Sequence, residues 1–293
     1  MSISAKDVKD LREKTGAGMM DCKKALAETN GDMEAAIDYL RKKGLAAAQK
    51  KQSRVAADGA VVTLTTGKKA VIVEVNCETD FVSKGDDFQN FAKSVADFAL
   101  NNDVASIEAL RDAKNADANE LTLKCGEKVD IRKLEVVATE GLLGSYNHGG
   151  RIGVVVELAT TATGADVEEL AKDLAMHVAA ADPRFLDASE IDEDYKNREA
   201  EIYAAQLKEE GKPEAMIGKI VEGKLAKLAK EVCLLEQAFV KNPDLTIKKL
   251  VAEVVGKAGA DITVKGFKKI NLGEGIEKKE DNLAEEVAKM TQQ

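Results

Sequence analysis

Residues 59–76 read GAVVTLTTGKKAVIVEVN, and this stretch decides the fold. Its two runs of β-branched residues flank the turn signal TTGKK, a pattern that predicts an antiparallel hairpin. Residues 87–100, DFQNFAKSVADFAL, follow with apolar side chains at helical spacing. Between residues 55 and 140 we therefore expect a small sheet with a helix beside it.

The same order of elements recurs further along the chain. LLGSYNHGGRIGVVVELA at 142–159 is followed by DVEELAKDLAMHVAA at 166–180, so that VIVEVN matches VVVELA and FAKSVADFA matches LAKDLAMHV. An internal repeat of this kind predicts two similar α+β modules with small antiparallel sheets. The copies differ most after the second strand, where the first copy is longer around CETDFVSK. A loop that is extended in only one copy of a duplicated scaffold indicates that this loop carries a function.

The first 44 residues have the spacing of three short helices. Ser4 with Asp7 predicts a capping box at the first helix, and Asp32 predicts the cap of the third. Gly44 is expected to end that third helix, and a polar linker then runs to about residue 55. Three helices of this length can enclose one small core and present one edge to a partner.

The second half of the chain adds a helical hairpin, a strand and a terminal helix. Residues 187–228 predict two antiparallel helices that turn near Gly211–Pro213 and pack through apolar side chains at Ile202, Leu207, Ile217, Ile220, Leu225 and Leu228. Residues 261–273, DITVKGFKKINLG, predict a strand that completes the second module's sheet. Leu283 and Val287 lie one turn apart in a short terminal helix.

The predicted fold class is α+β. The predicted domains are 1–54 (three helices and linker), 55–140 (first core module), 141–186 with 229–272 (second core module), 187–228 (helical hairpin) and 273–293 (terminal helical module).

Composition limits the classes of function. The net charge of −9 argues against nucleic acid as the main partner, because phosphate contacts need a basic surface. The charge is uneven: residues 1–54 carry 12 Lys and Arg against 8 Asp and Glu, whereas residues 187–210 carry 3 against 9. No apolar run is long enough for a membrane helix, and four scattered cysteines without a C-x-x-C pair indicate neither disulfides nor zinc. We expect a reduced, cytoplasmic protein.

Motifs for catalysis or cofactor binding are weak. GKIVEGKL at 218–225 has the spacing of a phosphate loop, but Leu225 stands where Ser or Thr should hold magnesium and no strand precedes it. His177 aligns with Phe98 of the other repeat, which favours a packed helix position. His148, in the turn YNHGGR, is either a partner contact or a turn residue. We expect no catalytic residue, no metal site and no cofactor.

Phe81 is an unusual residue to find just past a strand end in a chain that is only 4% aromatic. Side-chain chemistry alone favours a Phe that turns into the core. Its polar neighbours, which include Asp80 and Lys84, favour the alternative of an exposed, rigid interface anchor.

Two longer stretches carry a family resemblance. LREKTGAGMMDCKKAL at 11–26 and EVNCETDFVSK at 74–84 resemble the signature stretches of bacterial translation elongation factor Ts, and the similarity runs along the whole chain. The resemblance implies a ubiquitin-associated-like first domain, a duplicated core, a coiled-coil hairpin and a C-terminal helical module. It also implies a guanine nucleotide exchange factor that promotes GDP release from the GTPase elongation factor Tu by disturbing its magnesium and phosphate site, so that GTP can load during elongation.

The resemblance assigns partner-contact roles to particular residues. In that family the Asp and Phe of the loop, here Asp80 and Phe81, work close to the partner's magnesium site, and Thr79 and Val82 flank them.

A second set of contact positions lies outside this loop. In the first domain, Arg12, Met19, Met20 and Lys23 match family contact positions. His148 matches the histidine that the family uses near the third domain of its partner.

Two other classes of function remain open at this stage. The first alternative is a pure binding module or assembly scaffold whose three-helix head captures ubiquitin-like or helical ligands. Against it stands the loop extended in one repeat only, which a passive scaffold does not need. The second is an enzyme, which would have to turn over a substrate by itself. A homodimer through the helical hairpin or the C-terminal core is also open. We expect no direct nucleic-acid or membrane contact.

Overall fold

The computed structural model describes residues 3–104 and 106–277. The helices of these ranges are α1 (Ala5–Thr15), α2 (Met19–Glu28), α3 (Met33–Lys51), α4 (Asp80–Ser83), α5 (Asp86–Asn101), α6 (Ile107–Cys125), α7 (Ala165–Ala181), α8 (Glu193–Glu209), α9 (Glu214–Val232) and α10 (Ile247–Ala258). The strands are β1 (Asp58–Thr66), β2 (Lys69–Cys77), β3 (Asp130–Ala138), β4 (Leu142–His148), β5 (Ile152–Ala159), β6 (Ala238–Phe239), β7 (Asn242–Thr246) and β8 (Thr263–Asn271). The terminal helix predicted around Leu283 and Val287 lies outside the described residues.

Three small sheets organise the strands and confirm the α+β class. Their orders are β1-β2-β3, β4-β5-β8 and β6-β7. Both predicted hairpins form, and the strand predicted at 261–273 completes the second sheet as β8. In the second hairpin β4 runs antiparallel to β5, with Leu142 opposite Leu158 and His148 opposite Ile152.

The repeat places one helix after each hairpin. Helix α5 buries the side chains of Phe88, Phe91 and Val95. Helix α7 buries its equivalent apolar face against β4 and β5. The close approach of α7 depends on Gly144 of β4: a Cβ added there would lie 2.1 Å from the carbonyl oxygen of Ala171. A side chain at this position would push the helix off the sheet.

The first three helices enclose a core of Leu11, Cys22, Ala25, Leu26, Ala36 and Leu40. Ser4 and Asp7 form the predicted capping box, and Asp32 caps α3 by accepting the Ala35 N–H at 3.0 Å. The three-helix segment also packs on α6, because Leu123 of α6 joins this core.

The prediction that Gly44 ends the third helix is wrong. Helix α3 continues to Lys51, and Gly44 is buried where α3 packs on α6. A Cβ at Gly44 would lie 3.1 Å from the Asn119 carbonyl oxygen, so the missing side chain lets the two helices approach closely. The packing of α3 on α6 outweighs the cost of about 1 kcal/mol for glycine inside a helix.

The helical hairpin turns where the sequence predicts it, between Glu209 of α8 and Glu214 of α9. Leu207, Ile217 and Val221 form one buried cluster between the helices, and Tyr195, Leu228 and Cys233 belong to a second. Ile202 was expected to pack in this hairpin, but about half of its surface is exposed. Its position in the period of α8 turns it away from α9.

By contacts, the described chain divides into two compact units. The first combines residues 3–62, 73–104, 106–134 and 270–277, and the second combines 63–72 and 135–269. The five-part domain organisation drawn from the sequence stays a prediction.

Candidate partner-binding site

The predicted loop after β2 contains a short helical turn, α4. Thr79 caps it, because its Oγ1 accepts the Val82 N–H at 3.4 Å, and the Ser83 N–H donates to the Thr79 carbonyl at 3.2 Å. Ser83 is buried, and its Oγ donates to the Asp58 carboxylate at 3.1 Å. The turn is therefore tied to the fold at both ends.

Phe81 lies on the outer side of this turn, and 86% of its side chain is exposed. It is the most exposed large hydrophobic side chain in the part of the chain that the structure describes. The core-facing position that side-chain chemistry alone favours is thus wrong, and the exposed alternative holds. The reason is geometric: in a turn this short, the inward position goes to Ser83, which has a hydrogen-bond partner waiting in Asp58.

Asp80 stands beside Phe81 and is charged. Its Oδ2 lies 2.6 Å from the Lys84 Nζ one helical turn later. The Lys84 ammonium, through this hydrogen bond and its charge, lowers the pKa of Asp80 below its ordinary value. Val82, on the inner side of the turn, is half-buried. The site thus presents one aromatic ring next to one fixed carboxylate.

The predicted contact positions of the three-helix segment lie at the junction of α1 and α2. Met19 and Met20 begin α2, and 59% and 73% of their side chains are exposed. Arg12 in the last turn of α1 and Lys23 in α2 are exposed as well. These four side chains are therefore accessible, and their contact role stays a prediction.

Lys124 of α6 links the α1–α2 junction to the start of α5. Its side chain runs alongside Gly16, where an added Cβ would lie 3.1 Å from the Lys124 Cε. Its Nζ then pairs with Asp87 in the first turn of α5 at 2.7 Å. One lysine side chain thus contacts both the end of α1 and the first turn of α5.

His148 lies in the second unit, at the exposed turn between β4 and β5. Its Nδ1 is 3.0 Å from the Tyr146 hydroxyl, and the Gly150 N–H donates to Asn147 Oδ1 at 2.8 Å. Gly149 and Gly150 both have a left-handed φ, 58° and 69°, that the tight turn requires. The turn is exposed and ordered by its own hydrogen bonds, and the contact role of His148 stays a prediction.

Glu127 is the residue that the sequence interpretation missed. It follows the left-handed Gly126 at the end of α6, and its carboxylate accepts hydrogen bonds from the Glu78 N–H, the Thr79 N–H and the Thr79 hydroxyl. No local pattern could have indicated it, because the partners are 48 and 49 positions apart.

The fold gives structural positions to His177, to Cys77 and to the phosphate-loop-like stretch. His177 is buried and bonded to Gln237, and the phosphate-loop-like stretch 218–225 lies inside α9. Burial raises the pKa of the Cys77 thiol to about 12, so it is protonated where it donates to the Thr79 carbonyl.

In residues 3–104 and 106–277, no three His, Cys, Asp or Glu side chains converge to hold a metal ion. None of the helices found there combines the length and apolar character that a membrane span requires.

Comparison with known proteins places the chain. A family model described as elongation factor TS matches residues 78–274. Proteins named Elongation factor Ts are 51% identical over 300 residues in Clostridium perfringens (strain SM101 / Type A), covering 98% of this chain and 99% of that protein, and 46% identical over 302 residues in Magnetococcus marinus, covering 100% of both. A third from Clostridium novyi (strain NT) is 50% identical over 304 residues, covering 99% of both chains. The chain belongs to the elongation factor Ts family.

Proposed function

We propose that this chain is a guanine nucleotide exchange factor that binds the GTPase elongation factor Tu and promotes GDP release, which lets GTP load during translation elongation. Exchange makes and breaks no covalent bond, so the protein needs no catalytic group of its own. Family membership supports the role in protein biosynthesis. The chemistry of the exposed turn supports the mode of action.

The observation that carries the proposal is the exposure of Phe81 on a braced turn. An exposed aromatic ring contributes no burial free energy to the fold, and it gains that free energy only when a partner covers it. Because α4 is capped by Thr79 and tied to Asp58 through Ser83, little backbone entropy is lost when the ring is buried in a partner.

In the proposed mechanism the turn acts on the magnesium site of the GTPase. GDP and Mg²⁺ are held there by oriented backbone amides and charged groups, so small displacements cost much binding free energy. Phe81 wedges between elements that support this site, and the Asp80 carboxylate holds the displaced arrangement. Thr79 and Val82 complete the contact at either side of the ring.

The remaining contacts hold the complex together while the nucleotide leaves. Arg12, Met19, Met20 and Lys23 bind the GTPase through the three-helix domain, and His148 contacts it from the second module. The predicted helical module at 273–293 adds a further contact. Several separate contacts allow the affinity to persist when one of them is removed.

Thermodynamic linkage sets the size of the effect. Whatever factor this protein costs GDP in affinity, GDP costs this protein in turn. A thousandfold weakening corresponds to about 4 kcal/mol of coupling, which one well-fitted anchor and its neighbours can supply. The protein should therefore bind the nucleotide-free GTPase most tightly and the GDP and GTP forms more weakly.

The test is stopped-flow release of a fluorescent GDP analogue from elongation factor Tu. The protein should accelerate release by orders of magnitude, and Phe81→Ala should slow the saturating rate far more than it weakens the complex. Met216→Ala, which truncates another exposed apolar side chain, is the matched control and should leave the rate unchanged. If the unaltered protein and Phe81→Ala both bind the GTPase but neither accelerates GDP release, the result would instead favour a binding module or scaffold.

Three further parts of the proposal have separate tests. The protein is proposed to act in the cytoplasm, which imaging of a tagged chain can check. A homodimer through the hairpin or the C-terminal core is testable by sedimentation at several protein concentrations. The five-part domain organisation predicts that limited proteolysis cuts first near residues 52–55 and beyond residue 272.

A further inference from the structure

The hydrogen-bond donors at the start of α4 converge on one carboxylate. Glu127 Oε2 accepts the N–H groups of Glu78 and Thr79, both at 3.0 Å, and its Oε1 accepts the Thr79 hydroxyl at 2.6 Å. Backbone N–H groups at a helix start have no partner within the helix, and a carboxylate is their strongest acceptor. Three hydrogen bonds from one side chain thus fix the residues just before Phe81.

The contact is reciprocal. The Glu78 carboxylate accepts the Lys128 N–H at 2.7 Å, so each segment holds the other with a glutamate. Arg54 pairs with the same carboxylate at 3.3 Å, and Lys128 Nζ donates to the Gln52 carbonyl at 2.9 Å. The turn that carries Glu127 therefore connects the end of the three-helix segment to the Phe81 turn.

We propose that Glu127 is a positioning residue, which holds the main chain of residues 78–79 so that Phe81 meets its partner in one fixed orientation. The inference rests on the proposed function for what Phe81 does, but the hold on the loop is a property of this chain alone. Without the carboxylate, the two N–H groups bond water instead, and α4 keeps its Ser83–Asp58 tie but loses the anchor at its start. Phe81 then samples several orientations, of which only a fraction can enter the partner.

This role predicts a specific kinetic pattern. The contacts of the three-helix domain do not involve Glu127, so the complex still forms when the loop is loose. The rate of GDP release within the complex falls in proportion to the fraction in which Phe81 is seated. The maximal rate is therefore affected and the half-saturating concentration is not, whereas a general loss of structure would affect both.

The experiment compares Glu127→Ala, Glu127→Gln and Thr79→Val in the full chain, with Glu120→Ala as control. Glu120 is an exposed glutamate in α6, the helix that ends just before Glu127. Two quantities are measured: the rate of GDP-analogue release at saturation with its half-saturating concentration, and amide hydrogen exchange of residues 78–82 in the chain alone.

We expect Glu127→Ala to lower the saturating rate by about tenfold, to change the half-saturating concentration by less than about threefold, and to speed exchange at the two amides by tenfold or more. Glu127→Gln should fall between, since its amide keeps only one accepting oxygen. Thr79→Val should give a smaller loss, because it removes the hydroxyl that bonds Glu127 and caps α4 but leaves both backbone N–H bonds to Glu127 in place. If Glu127→Ala does not fold, the Gln and Val variants carry the same comparison.

Three outcomes would overturn the inference. The first is unchanged amide exchange at residues 78–79 in Glu127→Ala. The others are a raised half-saturating concentration with an unchanged saturating rate, or an equal fall in the saturating rate for Glu120→Ala. Failure of the proposed function looks different. Elongation factor Tu would then release GDP equally fast with the unaltered protein and with Phe81→Ala. The amide exchange of Glu127→Ala would still decide whether Glu127 holds the loop.

Discussion

Arg132 of β3 neutralises a completely buried carboxylate, that of Glu74 in β2. Its Nη1 lies 3.1 and 3.0 Å from the two carboxylate oxygens, and the Gly273 N–H donates to one of them at 2.8 Å. The second terminal nitrogen of the guanidinium group, Nη2, donates to the Glu274 carbonyl. One ion pair thus joins two strands of the first sheet to the segment that follows β8.

Arg132→Met should strongly destabilise the protein, because it leaves the Glu74 carboxylate buried without a counter-charge. We expect a loss of about 3–5 kcal/mol in the free energy of unfolding, measured by urea titration, and recovery of most of it in the Glu74→Met/Arg132→Met double variant. Lys196→Ala, which breaks the exposed pair with Glu193, should cost less than about 1 kcal/mol. A loss below 1 kcal/mol for Arg132→Met would mean that the pair is not needed.

Phe81 and Phe88 should respond oppositely to the same truncation. Phe88 is 1% exposed in α5, so Phe88→Ala should cost about 3–5 kcal/mol of unfolding free energy. Phe81→Ala removes a ring that is already in water, and the free energy of unfolding should change by less than about 0.5 kcal/mol. Chemical denaturation of both variants makes the comparison, and a large loss for Phe81→Ala would contradict its assignment to a partner surface.

His177 should make stability depend on pH. It is buried in α7, accepts the Val240 N–H at Nδ1 (3.3 Å) and lies 2.9 Å from Gln237 Oε1. Burial lowers the pKa of His177 below its ordinary value of 6.5, so the neutral form is favoured in the fold. The unfolded chain takes up a proton as pH falls through about 6.5, whereas the folded chain does so only at lower pH.

The contribution of His177 is therefore complete above pH 6.5 and is lost as pH falls from there towards the pKa of the folded state. Urea midpoints between pH 8 and pH 5 should decline for the unaltered protein. His177→Phe, which copies the residue at the equivalent repeat position, Phe98, should be less stable at pH 8 but lose less stability on acidification. Parallel pH curves for the two proteins would show that His177 does not contribute.

Substitution by alanine should have opposite effects on stability at two glycines, Gly144 in β4 and Gly218 in α9. Gly144→Ala places a Cβ 2.1 Å from the Ala171 carbonyl oxygen, so α7 must shift, and we expect a loss of about 3 kcal/mol. Gly218 lies inside α9 with no atom within 4 Å of an added Cβ, and Gly218→Ala should raise stability by about 0.5–1 kcal/mol. Thermal unfolding distinguishes the two, and destabilisation by Gly218→Ala would indicate that this glycine has a role beyond the helix.

Several elements followed directly from the sequence. The TTGKK turn, the capping box at Ser4 and the hairpin near Gly211 depend on neighbouring residues, and all three are confirmed. The repeat predicted two hairpin-plus-helix modules, and both form. The repeat did not predict α6 and β3, because the helix and strand in the same order in the second copy, α10 and β8, come only after the helical hairpin.

Positions set by distant contacts were predicted less well. Gly44 carries a local stop signal for a helix, but packing against α6 overrides it. Ile202 has an apolar side chain at helical spacing, yet it lies on the side of α8 away from its partner helix. In both cases local propensity is worth about 1 kcal/mol or less, which tertiary packing readily exceeds.

The sequence by itself determined the elements of this protein, their duplication and the family to which it is similar, because periodicity, caps and turn residues act over a few neighbouring positions. Only the tertiary structure decided which way Phe81 points and what holds it there. That outcome depends on Asp58 taking the Ser83 hydroxyl and on Glu127 taking the donors of Thr79, 25 and 48 positions apart along the chain. Contacts at such separation leave no local pattern, since they exist only once the chain has folded.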